Sequence, residues 1–266
     1  MKLNRKNVCS TQQSALPLPP RSKKVFFKVL EPKDLLATDL TGRFPVLSSR
    51  GYKYICVCYI YDANAILFRP MKSRSESEHI RVYNDIFTYL SQKGLRPEHH
   101  TMYNECSAAL KTLFIDTNKN ILQLVPPHDH RNNPAENAID TFKYHFISGF
   151  ASIDPRFPLH LWWRLLPQCE ATLNMLRPSR LHPHMSTFNH LEGMFDYNAT
   201  PMTPPGIKVL VYETPTQRRT WAQHGVDGWY ISHAPLHYRN FKCYIPATRG
   251  ERTAVKSRME RATSSC

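Results

Sequence analysis

The segment from Pro126 to Lys143, PPHDHRNNPAENAIDTFK, constrains the fold more than any other stretch of the chain. Before it, Ile121–Val125 is an apolar run of strand length. Pro126 and Pro127 stop that run, because proline has no N–H to give to a sheet ladder. After it, Asn133 can cap a helix and Pro134 suits the first helical position. Ala135, Ala138, Ile139, Phe142 and Phe146 then recur at helical spacing. A strand therefore gives way to a polar loop and a helix with one apolar face, and Glu136 falls in the first turn of that helix.

The same reading extends to both sides. Asp34 to Leu40 leads into a short strand, followed by the glycine-containing turn TGRFP. Lys53–Asp62 and Ala65–Met71 read as two strands of a hairpin turning at Asp62-Ala63-Asn64. Ser75–Lys93 is an amphipathic helix with its stripe at Ile80, Tyr83, Ile86, Phe87 and Leu90, ended by Gly94. His99–Tyr103 is a short strand and Ser107–Phe114 a short helix. Leu159–Leu176 is a strongly apolar helical stretch that Pro167 is expected to kink. A further short helix is expected over 183–193. Past Pro204-Pro205-Gly206 the segments KVLVYE, GWYIS and FKCYIP alternate as short strands. The expected class is α/β, a mixed five-stranded sheet flanked by helices with a small C-terminal β-rich appendage. The expected division is a basic arm over 1–33, a core over 34–195, the appendage over 196–248 and a basic, disordered tail over 249–266.

With Lys and Arg in excess, the formal net charge is +14, which suits a polyanionic partner, most often nucleic acid. Seven cysteines without a zinc-type spacing, and no apolar leader, point to a reducing compartment. Cys56 and Cys58 share one face of a strand and read as packed thiols; Trp162 and Trp163 read as core packing. No apolar run approaches the length of a membrane span, so no membrane partner is expected.

A carboxylate such as Glu136 becomes chemical if others converge on it. Hard divalent cations take oxygen ligands, and a pair of ions at a phosphodiester needs two or three carboxylates. Asp39, following LLAT and preceding Gly42, fits the end of the first strand and is the candidate partner. Each acid also has an ordinary use: Asp39 could bond its own turn, and Glu136 favours the helix dipole.

Four segments in order resemble the integrase core of copia-type LTR retrotransposons, within the retroviral integrase superfamily: ATDLTGRFP (37–45), MYNE (102–105), VPPHDHRNNPAENAIDTFK (125–143) and FPLHLWWRLLPQCEATLNMLRPS (157–179). In the last, Trp162 or Trp163, Asn174, Pro178 and Ser179 match the family pattern. The resemblance covers roughly residues 34–250 and implies an RNase H-like fold. It also implies Mg²⁺-dependent (or Mn²⁺-dependent) DNA strand transfer and 3′-end cleavage, DNA as partner, multimeric assembly and a nuclear or cytoplasmic location. Asp39 resembles the first catalytic and metal-binding acid and Glu136 the third. The second acid should stand immediately before Asn104-Glu105, where this chain has Tyr103. Arg131, Asn132 and Lys143 are the nucleic-acid-binding residues the resemblance implies.

The departures have consequences. A phenol has a pKa near 10 and is neutral at pH 7, so Tyr103 is a poor substitute for a carboxylate shared between ions. Two basic residues of the family's catalytic helix are Asn137 and Asp140 here, which weakens contact with phosphate. Glu105 would have to supply ligand oxygens from about 7 Å along the strand. The expectation is a core that folds and binds DNA with impaired catalysis; the alternative is a domesticated, non-catalytic DNA-binding or interaction protein. His128-Asp129-His130 reads as a polar loop, and no zinc site is expected.

Overall fold

In a computed structural model, the structure describes residues 33–103, 106–125, 133–213, 221, 223–254 and 257–259. The first sheet has five strands: β1 (Leu35–Leu40), β2 (Tyr54–Ile60), β3 (Ala65–Met71), β4 (His99–Tyr103) and β5 (Ile121–Val125). Their order is β3-β2-β1-β4-β5. β1, β2 and β3 pair antiparallel, whereas β4 lies parallel to β1 and β5 parallel to β4. This is the mixed five-stranded sheet expected from the sequence. The β2–β3 hairpin turns where expected, with Asn64 at φ 55°, a left-handed conformation that asparagine tolerates.

Helices cover both faces, and strand alternation decides which residues meet them. Ile55, Val57 and Tyr59 of β2 face α3 (Pro134–Ala151) and α4 (Leu166–Met175). Cys56, Cys58 and Ile60 face the opposite layer, built on α1 (Glu76–Gln92) and α2 (Ala108–Thr112). Burial pushes the Cys56 thiol up to about 12, with the Asp39 charge adding to the effect, and raises Cys58 as well; both are packed groups as expected. Trp162 is fully buried, stacks on Phe44 at 4.3 Å and donates Nε1 to the Val46 carbonyl at 2.9 Å. It thereby pins the loop that follows β1.

Pro167 does not kink a long helix. Leu159–Leu165 forms a 3₁₀ segment, and α4 starts at Leu166 with Pro167 in its first turn. A missing N–H costs nothing there, because first-turn N–H groups have no helical acceptor. The expected helix over 183–193 is α5 (Thr187–Glu192), capped by the Ser186 hydroxyl accepting from Asn189 N.

α4 also closes the open edge of the sheet. The Asn174 amide accepts from Ile66 N at 3.0 Å and donates to Ile66 O at 2.9 Å, as a neighbouring strand would. One turn earlier, Glu170 accepts from Phe68 N at 2.6 Å and from Arg69 at 3.0 Å. The i, i+4 spacing along α4 thus matches the i, i+2 spacing of outward-facing groups on β3, since about 6 Å separates each pair.

The β-rich C-terminal part is a second five-stranded sheet, in the order β10-β6-β7-β8-β9, all antiparallel. Its strands are β6 (Lys208–Tyr212), β7 (Gly225–His233), β8 (Phe241–Ile245), β9 (Gly250–Ala254) and β10 (Ser257–Met259). Val209, Val211, Tyr230, Cys243 and Ile245 form a small core of its own. Trp229, Ile231 and Tyr244 enter the large core with α3 and α4. Arg164 reinforces this contact by pairing with Glu251 and lying over the Tyr244 ring. β9 and β10 fall within the stretch whose composition predicts a disordered basic tail. They are strands because β9 pairs with β8 throughout, with Glu251 and Thr253 exposed and Ala254 buried. Charged positions on an edge strand are compatible with such a ladder.

Candidate functional site

Three elements converge beyond the carboxyl ends of the central strands. Asp39 is the fifth residue of β1, partly exposed, and its Oδ1 accepts from Leu40 N at 2.7 Å. β1 and β4 run parallel, with Leu35 opposite His99, Leu36 opposite His100 and Ala37 opposite Thr101. Carried two residues further, that register sets position 39 beside position 103, the last residue of β4. Adjacent strands are about 4.8 Å apart.

The third element is the start of α3. Asn133 caps it, accepting from Ala135 N at 3.0 Å, and the same side chain donates to the Thr38 carbonyl at 3.3 Å. One buried amide thus organises the first turn and ties it to β1 one residue before Asp39. Glu136, partly buried, occupies the third position of this helix, with its N–H donating to Asn133 O at 3.1 Å. Ala135, Ala138 and Ile139 pack with Ala37 in the large core, which fixes how the helix is rotated.

The positions singled out as Asp39, Tyr103 and Glu136 therefore belong to three adjoining elements. Lys143 is exposed two turns along α3 and pairs with Asp140 at 3.7 Å. Asp140 thus competes with any external anion for the Lys143 cation. Asn137 is exposed as well. Arg131, Asn132, Glu105 and His128-Asp129-His130 lie outside the described residues.

Behind Asp39 is a polar column that the sequence did not announce. Thr38 Oγ1 lies 3.1 Å from Tyr83 OH and 2.8 Å from His100 Nε2, all three buried. Burial lowers His100 to about 3 and raises Tyr83 well above its ordinary value, so both are neutral at pH 7. A cavity of about 130 Å³ between this column and the surface is lined by Asp39, Arg74, His79 and Met102 among others. The available signal was strand alternation: His100 is opposite to Leu36 and on the face of Thr38, so it had to be buried against α1.

No protein-family model matches this sequence, and no curated protein does. Its structure is similar to that of the simian T-cell lymphotropic virus intasome in complex with the PP2A regulatory subunit B56 gamma, with 13% identity and a TM-score of 0.46 over 90% of this chain and 82% of that one. It is also similar to the HTLV-2 integrase catalytic core domain in complex with magnesium. The dimeric form gives 16% identity and a TM-score of 0.42 over 63% of this chain and 100% of that one; the trimeric form gives 17% and 0.44 over 62% and 100%.

The donor set can be compared with the metal that the sequence resemblance implies. Among the described residues, no three His, Cys, Asp or Glu side chains come together as a metal cluster. Two carboxylates and water can satisfy one Mg²⁺. A pair of ions roughly 3.5–4 Å apart calls for a further shared carboxylate, and the residue at the position between them is a tyrosine. Among the described residues, Asp39 and Glu136 do not by themselves supply the donor set of a two-ion site.

Proposed function

We propose that this chain is an integrase-type, copia-like nucleic-acid-binding core in which polynucleotidyl transfer is lost or severely weakened. The observation that carries this reading is the convergence of β1, β4 and the start of α3, with acids at positions 39 and 136 and tyrosine at 103. The net charge of +14 supports a nucleic-acid partner. In this reading Asp39 and Glu136 are the remaining members of an acidic set, and Asn133 positions both by holding α3 against β1. The neutral phenol leaves the site short of a charge, while the Asp140–Lys143 pair reduces the pull of α3 on phosphate.

The test is strand transfer and 3′-end cleavage on labelled DNA with Mg²⁺ or Mn²⁺, comparing the native chain, Tyr103→Asp, and Tyr103→Asp combined with Glu136→Gln. The native chain is expected at background. Tyr103→Asp should raise the rate about tenfold or more, equivalent to ~1.4 kcal/mol of barrier, and the added Glu136→Gln should remove the gain. Strong activity in the native chain that Glu136→Gln abolishes would sink the impaired-site reading. DNA affinity that does not change with salt would sink the nucleic-acid partner.

A further inference from the structure

A second basic feature lies at the opposite end of the first sheet. Among the described residues, arginine ion pairs join Arg69 to Asp85 and Glu170, Arg81 to Glu78, Arg156 to Asp154, Arg164 to Glu251 and Arg252 to Glu213. Arg177 and Arg180 belong to none of these pairs. They follow α4, three residues apart, and are held by uncharged acceptors. Arg177 Nε donates to Asn64 O at 2.8 Å, and a terminal nitrogen donates to Asn64 Oδ1 at 2.5 Å. Arg180 donates to Tyr59 OH and Tyr61 O, each at 2.5 Å, and lies 3.9 Å over the Tyr61 ring.

Helix-end arginines often serve their own helix by bonding its last carbonyls. These two bond the β2–β3 hairpin instead. Each guanidinium carries five N–H donors, so both keep donors beyond those used for anchoring. Burial, with the neighbouring Arg180 charge acting in the same sense, holds Arg177 below its usual value. The opposing charge is Asp62, whose Oδ2 accepts from Asp34 N at 2.6 Å and whose field reaches Arg180. Preorganised forks of this kind match phosphate oxygens better than a flexible ammonium would.

We propose that Arg177 and Arg180 form a phosphodiester-binding clamp for a nucleic-acid backbone, separate from the Asp39–Glu136 end. Leu35 accepts from Tyr61 N, so the clamp adjoins the start of β1. Four strand residues, about 13 Å, separate that point from Asp39. The clamp and the acidic positions are therefore separate places on the first sheet. The inference rests on the nucleic-acid partner proposed above but not on any chemistry at Asp39 or Glu136.

The experiment is fluorescence anisotropy of a labelled DNA duplex in EDTA across a salt series. It compares the native chain with Arg180→Gln, Arg177→Gln/Arg180→Gln, the corresponding double lysine variant and Asp62→Asn. The double glutamine variant should lower the slope of log affinity against log salt by about 1–2 and weaken binding several-fold, since each phosphate contact contributes about 0.9 to the slope. The double lysine variant should retain most of the slope, and Asp62→Asn should tighten binding. If the double glutamine variant does not fold, Arg180→Gln alone should lower the slope by about 1. An unchanged slope in a folded glutamine variant overturns the clamp. So does protection of the native chain by inorganic phosphate through these arginines while DNA binding is indifferent to them, because the site would then serve a small anion. Failure of the native chain to bind DNA at all would instead remove the partner on which both proposals depend.

Discussion

Replacing Asn174 with alanine tests how the sheet is finished. Asn174 is 3% exposed, and its amide is the partner of both Ile66 N and Ile66 O. Truncation removes the partner of that donor and that acceptor while both remain on the fully buried Ile66. An unmade hydrogen bond at a buried polar group costs about 1–3 kcal/mol, so the two together should cost about 2–6 kcal/mol. Asn174→Asp separates the two halves of the interaction. A carboxylate can still accept from Ile66 N but turns an oxygen toward Ile66 O, one turn from the partly buried Glu170, so it should be at least as damaging as alanine. Urea unfolding followed by far-UV circular dichroism gives both values, with an unchanged m-value indicating that the loss is one of stability. An alanine variant within about 0.5 kcal/mol of the native chain would refute the claim that α4 stands in for a sixth strand.

Two further predictions concern desolvated charge. Arg69→Met removes the cation facing the partly buried Glu170 and should cost about 1.5–3 kcal/mol, whereas Glu170→Gln, which can still accept from Phe68 N, should cost less; the ranking in urea melts checks this, and the reverse order refutes it. His100 is lowered from 6.5 to about 3 by burial against Thr38 and Tyr83, so below pH 6.5 the unfolded chain takes up the proton first, and stability should fall as pH drops from about 6.5 toward 3. The lowered His145, His190 and His233 act in the same direction, and raised Glu170 opposes them at the acid end. In His100→Asn the acid limb of the urea midpoint should flatten; an acid limb as steep as the native one would refute this assignment.

The elements that sequence made legible are those whose period is repeated within one segment. Ile55, Val57 and Tyr59 alternate with Cys56, Cys58 and Ile60, and the two sets do part to opposite layers of the sheet. Of the stripe expected on α1, Tyr83, Ile86 and Leu90 are buried and Ile80 and Phe87 half-buried, while Val82, outside that stripe, is buried as well. Pro167 was harder, because proline breaks a helix interior but opens a helix well, and only the 3₁₀ segment ahead of it decides between these. β9 was obscured by its charges, which sit at the solvent side of a strand whose pairing depends on β8. The convergence of 39, 103 and 136 followed from motif order, but the means of convergence did not. Asn133 was legible as a cap, while its bond to the Thr38 carbonyl joins residues 95 positions apart. Asn174 was visible only as part of a pattern, since its partner is 108 positions earlier in the chain.

The finished edge at β3 also limits how copies of this protein can meet. A strand from another chain could add to the first sheet at that side only by displacing Asn174 and Glu170 from Ile66 and Phe68, and Arg177 from Asn64. Each displacement strands a polar group on α4 or on the loop after it, so sheet extension through β3 is disfavoured before any surface complementarity is considered. Self-association would instead have to use other surfaces, such as the helix face where Tyr144 and Ile147 on α3 present exposed apolar surface one turn apart. Substitutions that release the edge, Asn174→Ala first among them, would give sheet-to-sheet aggregation a route that the native chain keeps closed.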